Sequence, residues 1–152
     1  MTQNGIILVV SVSLIKQNKV LLVKESKPSP KNQWNLPSGR IEEGEDILAA
    51  ACREVKEETG FDVKLSETTG VYNFISNTNQ QVILFHFIGE IIGGSLRLDE
   101  AEIIDSKWIE LTKLMELAHE ELRNAGVVKQ ITEAVLNEEF YPIDLFKKQL
   151  GV

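Results

Sequence analysis

A chain of 152 residues with 43% apolar side chains and a formal charge of −7 can bury one sizeable core and reads as globular rather than disordered. No apolar run approaches the roughly 18 residues that span a bilayer, and residues 6–10 lack the basic flank and small-residue cleavage site of an export signal. A cytoplasmic protein with no membrane partner is expected. The acidic balance excludes unaided binding of nucleic acid, which needs clustered Lys and Arg to release counterions, and the single Cys52 excludes an intramolecular disulfide.

In chain order, residues 6–15 are β-branched and strongly apolar, and the Gln17-Asn18 pair before Val20-Leu21-Leu22-Val23 predicts a hairpin. Pro28 and Pro30 mark a loop, Trp34-Asn35-Leu36 a short extended segment, and Pro37-Ser38-Gly39 a turn. Residues 47–59 have helical spacing, with Asp46 as N-cap and Gly60 where left-handed backbone ends a helix. Residues 70–75 and 81–92 read as antiparallel strands around the turn 76–80, closed by Gly93-Gly94. Lys107-Trp108-Ile109 reads as a short strand, and a helical stretch follows from Thr112 through Leu117. Val127, Val128, Ile131, Ala134 and Val135 recur at helical intervals, placing a last helix over 127–137 before Tyr141-Pro142. With no repeat, low-complexity tract or linker, residues 1–152 are expected to form one domain. Strands and helices mix in irregular order, which predicts an α/β fold of three layers, a mixed sheet between helices.

On a wheel of about 100° per residue, Ile47, Leu48, Ala51 and Val55 share one arc and must face the sheet. Glu54, Glu57 and Glu58 occupy an adjoining arc, while Lys56 and Cys52 lie away from it. Like charges at i, i+3 and i+4 repel, so something positive must compensate. Arg53, four residues before Glu57, can pair with it, but one guanidinium cannot neutralise three carboxylates. A hard divalent cation can, and oxygen-only ligation selects Mg2+ or Mn2+ over zinc. The bland alternative is a solvated acidic face.

The surroundings weigh against that alternative. Gly39, five residues, Glu45, seven residues, then Arg53-Glu54-Val55-Lys56-Glu57-Glu58-Thr59-Gly60-Phe61 matches all nine constrained positions of the box G-x5-E-x7-R-E-U-x-E-E-x-G-U, with U apolar. By this string, residues 39–61, the chain resembles the MutT-like Nudix hydrolases. Features outside the box agree: the N-terminal strand pair, Trp34 and Pro37 before it, and Trp108-Ile109 followed by a helix. The resemblance implies a Nudix-type α/β/α sandwich with a loop–helix–loop metal site, hydrolysing nucleoside diphosphates linked to a further moiety. It implies Glu54, Glu57 and Glu58 as ligands of Mg2+ or Mn2+, with the Gly39 carbonyl facing a metal and Glu57 alternatively positioning water. Arg53 would orient Glu57 in the catalytic centre, and Glu45 would brace the box's own loop. Relatives often take a catalytic base from a later loop, and here Asp99-Glu100-Ala101-Glu102 offers Glu100 or Glu102.

The rest of the chain bears on substrate. Trp34-Asn35, Pro37-x-Gly39, Leu122-Arg123, Val128, Ile131 and Tyr141-Pro142 resemble the NudJ-type phosphatases, which act on nucleoside tri- and diphosphates and on the pyrophosphate of a thiamine-precursor pyrimidine. An ADP-ribose or nucleotide-sugar pyrophosphatase, and a non-catalytic nucleotide sensor, are the alternatives. Among Trp34, Tyr72, Phe74 and Phe85, any of which could stack on a ring, Trp34 and Tyr72 are the preferred substrate contacts, each having a polar handle near a loop. Arg40, next to Gly39, is the third substrate-binding candidate. His86 and His119 have no ligand-spaced partner and Cys52 no redox task; relatives are monomers or homodimers.

Overall fold

The computed structural model describes residues 5–26, 32–99 and 101–151. Pro28, Pro30 and Glu100 lie outside the described residues. Strand β1 (Ile6–Lys16) turns through Gln17 and Asn18, both at positive φ (53° and 62°), into β2 (Lys19–Glu25). Two left-handed residues are what a tight hairpin with the strands' natural twist requires. Two short strands follow, β3 (Trp34–Asn35) and β4 (Ser38–Arg40), the second pairing with β1 where the sequence suggests only a turn.

Helix α1 (Ile47–Thr59) has the expected limits, and the Asp46 side chain accepts the Ala49 N–H at its start. Gly60 ends it at φ 83°, with its N–H donating to the Lys56 carbonyl at 2.9 Å. A Cβ on Gly60 would lie 2.3 Å from the Ser95 carbonyl oxygen, so a second reason besides the turn demands glycine there.

Strand β5 (Phe61–Ile75) begins directly after that cap, nine residues earlier than its expected start at Gly70. Its partner is β6 (Gln81–Gly94), antiparallel, and β6 also runs parallel to β1, which makes the sheet mixed. The remaining elements are β7 (Ile103–Glu110), longer than its Trp108 centre suggests, α2 (Leu111–Leu114), α3 (Ala125–Leu136) and β8 (Tyr141–Pro142). The strand order is β3-β2-β1-β6-β5-β8, with β4 on β1 and β7 on β2. One core joins the sheet to α2 and α3 around Leu22, Tyr72, Leu84 and Ile131, and a second joins it to α1 around Val12, Val55 and Phe87. The three layers are therefore present. Among the described residues no helix is long and apolar enough to cross a membrane.

The C-terminal segment closes the α1 side. Phe146 packs edge-on against Phe87 and Phe85, at 4.9 and 5.9 Å between centroids, and Gln149 Nε2 donates to the Gly44 carbonyl at 3.0 Å. It thereby ties the loop that precedes α1.

His86, on β6, is fully buried, with Ser11 Oγ 2.6 Å from Nδ1 and Ser13 Oγ 2.7 Å from Nε2. Burial lowers its pKa from 6.5 to about 3. Between those values the unfolded chain binds a proton that the folded one refuses, so this contribution is complete above pH 6.5 and is lost as pH falls toward 3. The expected slope is about 1.4 kcal/mol per pH unit. Urea midpoints measured from pH 7 to pH 4 should fall more steeply for the parent than for His86→Leu; equal slopes would refute a neutral buried imidazole.

Candidate active site

The box residues occupy one end of a cavity of about 520 Å3, bounded by β1, the β3–β4 segment, α1 and the start of α3. Glu25, Glu54, Glu58 and Glu102 line this end together with Arg40 and Arg123. At the other end stand Phe74, Leu84, Val127, Val128 and Ile131.

Each carboxylate has a distinct environment. Arg53 Nε and Nη2 donate to Glu45 at 2.6 and 2.9 Å, Nη1 donates to Glu54 at 2.8 Å and to both oxygens of Glu57 at 3.1 and 3.2 Å, and Nη2 reaches the Arg40 carbonyl at 3.1 Å. The guanidinium hydrogen-bonds three carboxylates and has Glu42 as a fourth ion-pair partner at 3.7 Å, and Glu58 is not in the set. The Glu45 bond leads in holding Arg53 charged and holds the Glu45 carboxyl below its usual range. Glu45 also accepts the Glu42 N–H at 3.0 Å, which braces the loop before α1.

Glu58 lies inside the apolar arc of α1 rather than beside it, and only 5% of it is exposed. Among the described residues its carboxyl has one hydrogen-bond donor, the Ser38 N–H at 2.9 Å. Burial, reinforced by the charges of Glu25, Glu54 and Glu102, pushes its carboxyl up to about 9 against the help of that donor. Burial also raises Glu54, with Arg53 opposing. Glu57, exposed, lines a separate shallow concavity with Lys56, Arg97 and Asp99. The three box carboxylates therefore do not surround one point, and among the described residues no three acidic, His or Cys side chains converge tightly enough to enclose an ion.

Gly39 sits against Glu54 so closely that a Cβ would fall 2.0 Å from the carboxylate carbon. Sequence reasoning assigns Gly39 a close approach, and the close neighbour here is that side chain. Of the acidic loop, Glu102 reaches the cavity.

The substrate-contact candidates divide. Arg40 lines the cavity, exposed at its rim. Trp34 does not: its ring lies under Lys107 Nζ at 4.4 Å and Lys24 Nζ at 5.5 Å, on the face formed by β2 and β7. Tyr72 is 7% exposed in the core, its hydroxyl 2.8 Å from Thr69 Oγ1, so the polar handle that recommended it is spent inside the fold. Phe74, on the same face of β5 and nearer the hairpin, is the cavity's aromatic. Sequence reasoning missed Glu25 and Arg123, whose 3.1 Å ion pair joins residues 98 apart in the chain. The available signal was a lone acid ending the apolar strand β2.

A mixed sheet between helices, with a carboxylate-lined cavity fed by a loop–helix–loop, defines the Nudix class of α/β fold. The Nudix domain model matches residues 6–131, and the chain belongs to that family. It is 37% identical over 111 residues to an ADP-ribose pyrophosphatase of Methanocaldococcus jannaschii, covering 70% of this chain and 64% of that protein. It is 33% identical over 115 residues to the human 8-oxo-dGDP phosphatase NUDT18, covering 74% of this chain and 34% of that one. The chain thus spans less than two thirds of either relative. A solved Nudix hydrolase from Nitrosomonas europaea superposes with a TM-score of 0.85 at 26% identity, covering 96% of this chain and 99% of the other.

Proposed function

We propose that the chain hydrolyses a phosphoanhydride bond in a small nucleoside-diphosphate-type molecule, with a divalent cation, Mg2+ or Mn2+, and the phosphates at the acidic end of the cavity. The observation that carries this reading is a single cavity with Glu25, Glu54, Glu58 and Glu102 at one end and an apolar, Phe74-bearing wall at the other. Its volume suits one nucleotide-sized ligand. Relatives named for 8-oxo-dGDP and for ADP-ribose support the substrate class.

The donor set fits a hard cation. Glu54 and Glu58 are carboxylates whose burial penalises their charge, and Gly39 gives the Glu54 group room that any Cβ would take. Oxygen-only donors of this kind select Mg2+ or Mn2+. Glu54, Glu58 and the Gly39 carbonyl would hold the ion, while Glu57, outside that set and paired with Arg53, would position water. When bound, such an ion neutralises phosphate charge and makes water a better nucleophile near neutral pH. The chain's own groups do the rest. Arg53 fixes the rotamers of Glu54 and Glu57, Arg40 and Arg123 present cations to phosphate oxygens, and Glu102 takes the proton from attacking water.

A panel of nucleoside di- and triphosphates, their oxidised-guanine forms, ADP-ribose and hydroxymethylpyrimidine pyrophosphate tests this directly. Turnover of at least one member in Mg2+, abolished by EDTA, is expected. Release of orthophosphate would mark a phosphatase and two monophosphates an ADP-ribose-type pyrophosphatase, the second reading, which the similarity to the M. jannaschii protein supports. No metal-dependent turnover of any member would contradict both.

A further inference from the structure

The floor of the cavity contains a hydroxyl that packing alone does not explain. Ile7, Val9 and Ser11, alternate residues of β1, line the cavity floor, and Ser11 is 2% exposed. Other hydroxyls nearby are engaged: Ser76 and Thr78 bond each other at 2.9 Å in the β5–β6 turn, and Ser76 accepts the Gln80 N–H at 3.2 Å. Among the described residues the Ser11 hydroxyl has one partner, Nδ1 of His86, and the Ser13 hydroxyl has one, Nε2 of the same ring.

Proton counting orders this triad. A fully buried neutral imidazole carries one N–H, so one serine must donate to the ring and the other must accept from it. If Nε2 carried the proton, Ser13 would accept, and its own hydroxyl proton would have no acceptor among the described residues and, Ser13 not lining the cavity, none from a ligand either. That leaves a buried donor unsatisfied, at a real cost. If Nδ1 carries the proton, Ser13 donates to Nε2 and Ser11 accepts from Nδ1. Every ring and Ser13 donor is then used, and the one proton left over, on Ser11, belongs to the residue that lines the cavity.

Resting on the nucleotide-type reading above, we infer that Ser11 is a specificity-determining residue: its hydroxyl, oriented by His86 and Ser13, donates a hydrogen bond to an acceptor atom of the substrate's heterocycle, a ring nitrogen or carbonyl oxygen. His86 and Ser13 are positioning residues, since neither touches the ligand.

Two measurements decide this. Long-range nitrogen–proton correlation spectra of the full chain should show Nδ1 of His86 protonated and Nε2 bare. With the best heterocyclic substrate of the panel, Ser11→Ala should raise KM about three- to tenfold while kcat stays within about twofold, the loss expected for one neutral hydrogen bond. Ser11→Thr, which keeps the hydroxyl on a strand-compatible side chain, should recover most of the parent KM. A proton on Nε2, or an unchanged KM in Ser11→Ala with the parent active, overturns the assignment and leaves the hydrolase reading standing. A parent that turns over no heterocyclic pyrophosphate overturns the hydrolase reading and this one with it.

Discussion

Glu58→Gln is expected to lower turnover at least about a hundredfold while leaving the fold intact, because a carboxylate lost from the metal end removes charge stabilisation of the transition state. Stability should not follow activity downward. Burial already disfavours the charge of the parent side chain, which is 5% exposed with one N–H donor, so without metal a neutral amide of the same shape meets the same surroundings at little cost. The Gln carbonyl can still accept from Ser38. In EDTA the variant should therefore melt at or above the parent temperature. Glu57→Gln should show the same loss of turnover with no gain in melting temperature, since Glu57 is exposed and paired with Arg53. Parental rates in both variants would reject the site, and a melting temperature for Glu58→Gln well below the parent would reject the account of its burial.

The largest effect on stability is expected from Gly60→Ala. A side chain at φ 83° costs roughly 1–2 kcal/mol. The added Cβ must also displace the Ser95 backbone, whose carbonyl oxygen would stand 2.3 Å away. Backbone overlap of this kind is not relieved by a rotamer change, so a total of about 3 kcal/mol or more follows. For a chain of this length that is roughly a 10 °C drop in Tm, readable by calorimetry. Because the Arg97 N–H bonds the Thr59 carbonyl at 2.8 Å, the strain falls on the junction between α1 and the segment after β6. A drop below about 3 °C would mean that the two backbones separate easily.

Helix α1 was legible to the residue because its signals are local. Asp46 and Gly60 cap a run whose apolar positions share one face, and none of that depends on distant partners. The β1–β2 hairpin was legible for the same reason. The first half of β5 was not. Residues 61–66 do alternate apolar and polar, but the polar run 66–69 and three register shifts against β6 interrupt the period of two and separate that stretch from residues 70–75. The parallel pairing of β1 with β6 joins segments about seventy-five residues apart, and no local pattern encodes it.

Within the site, the wheel gathers the acids on one side of α1 and also divides them, placing Glu58 inside the apolar arc and not in the adjoining arc expected from the sequence. Glu58 falls angularly between Ile47 and Ala51, so the sheet buries it, whereas Glu57 at the edge of the arc finds solvent and Arg53. Tyr72 and Phe74 share a face of β5. Which of them meets the cavity depends on depth along the strand, set by the hairpin and α3. The contribution of Glu25 and Arg123 is tertiary, and sequence spacing carries no trace of it.

The proposed hydrolysis requires the acidic end of the cavity to hold a divalent ion. Electron paramagnetic resonance of Mn2+ titrated into the full chain with a slowly hydrolysed nucleoside diphosphate analogue measures this without relying on turnover. The free-ion signal should be saturably depleted by the parent protein and remain nearly undiminished with the Glu54→Gln/Glu58→Gln double variant. Equal depletion by both proteins would place the ion elsewhere and contradict the assignment.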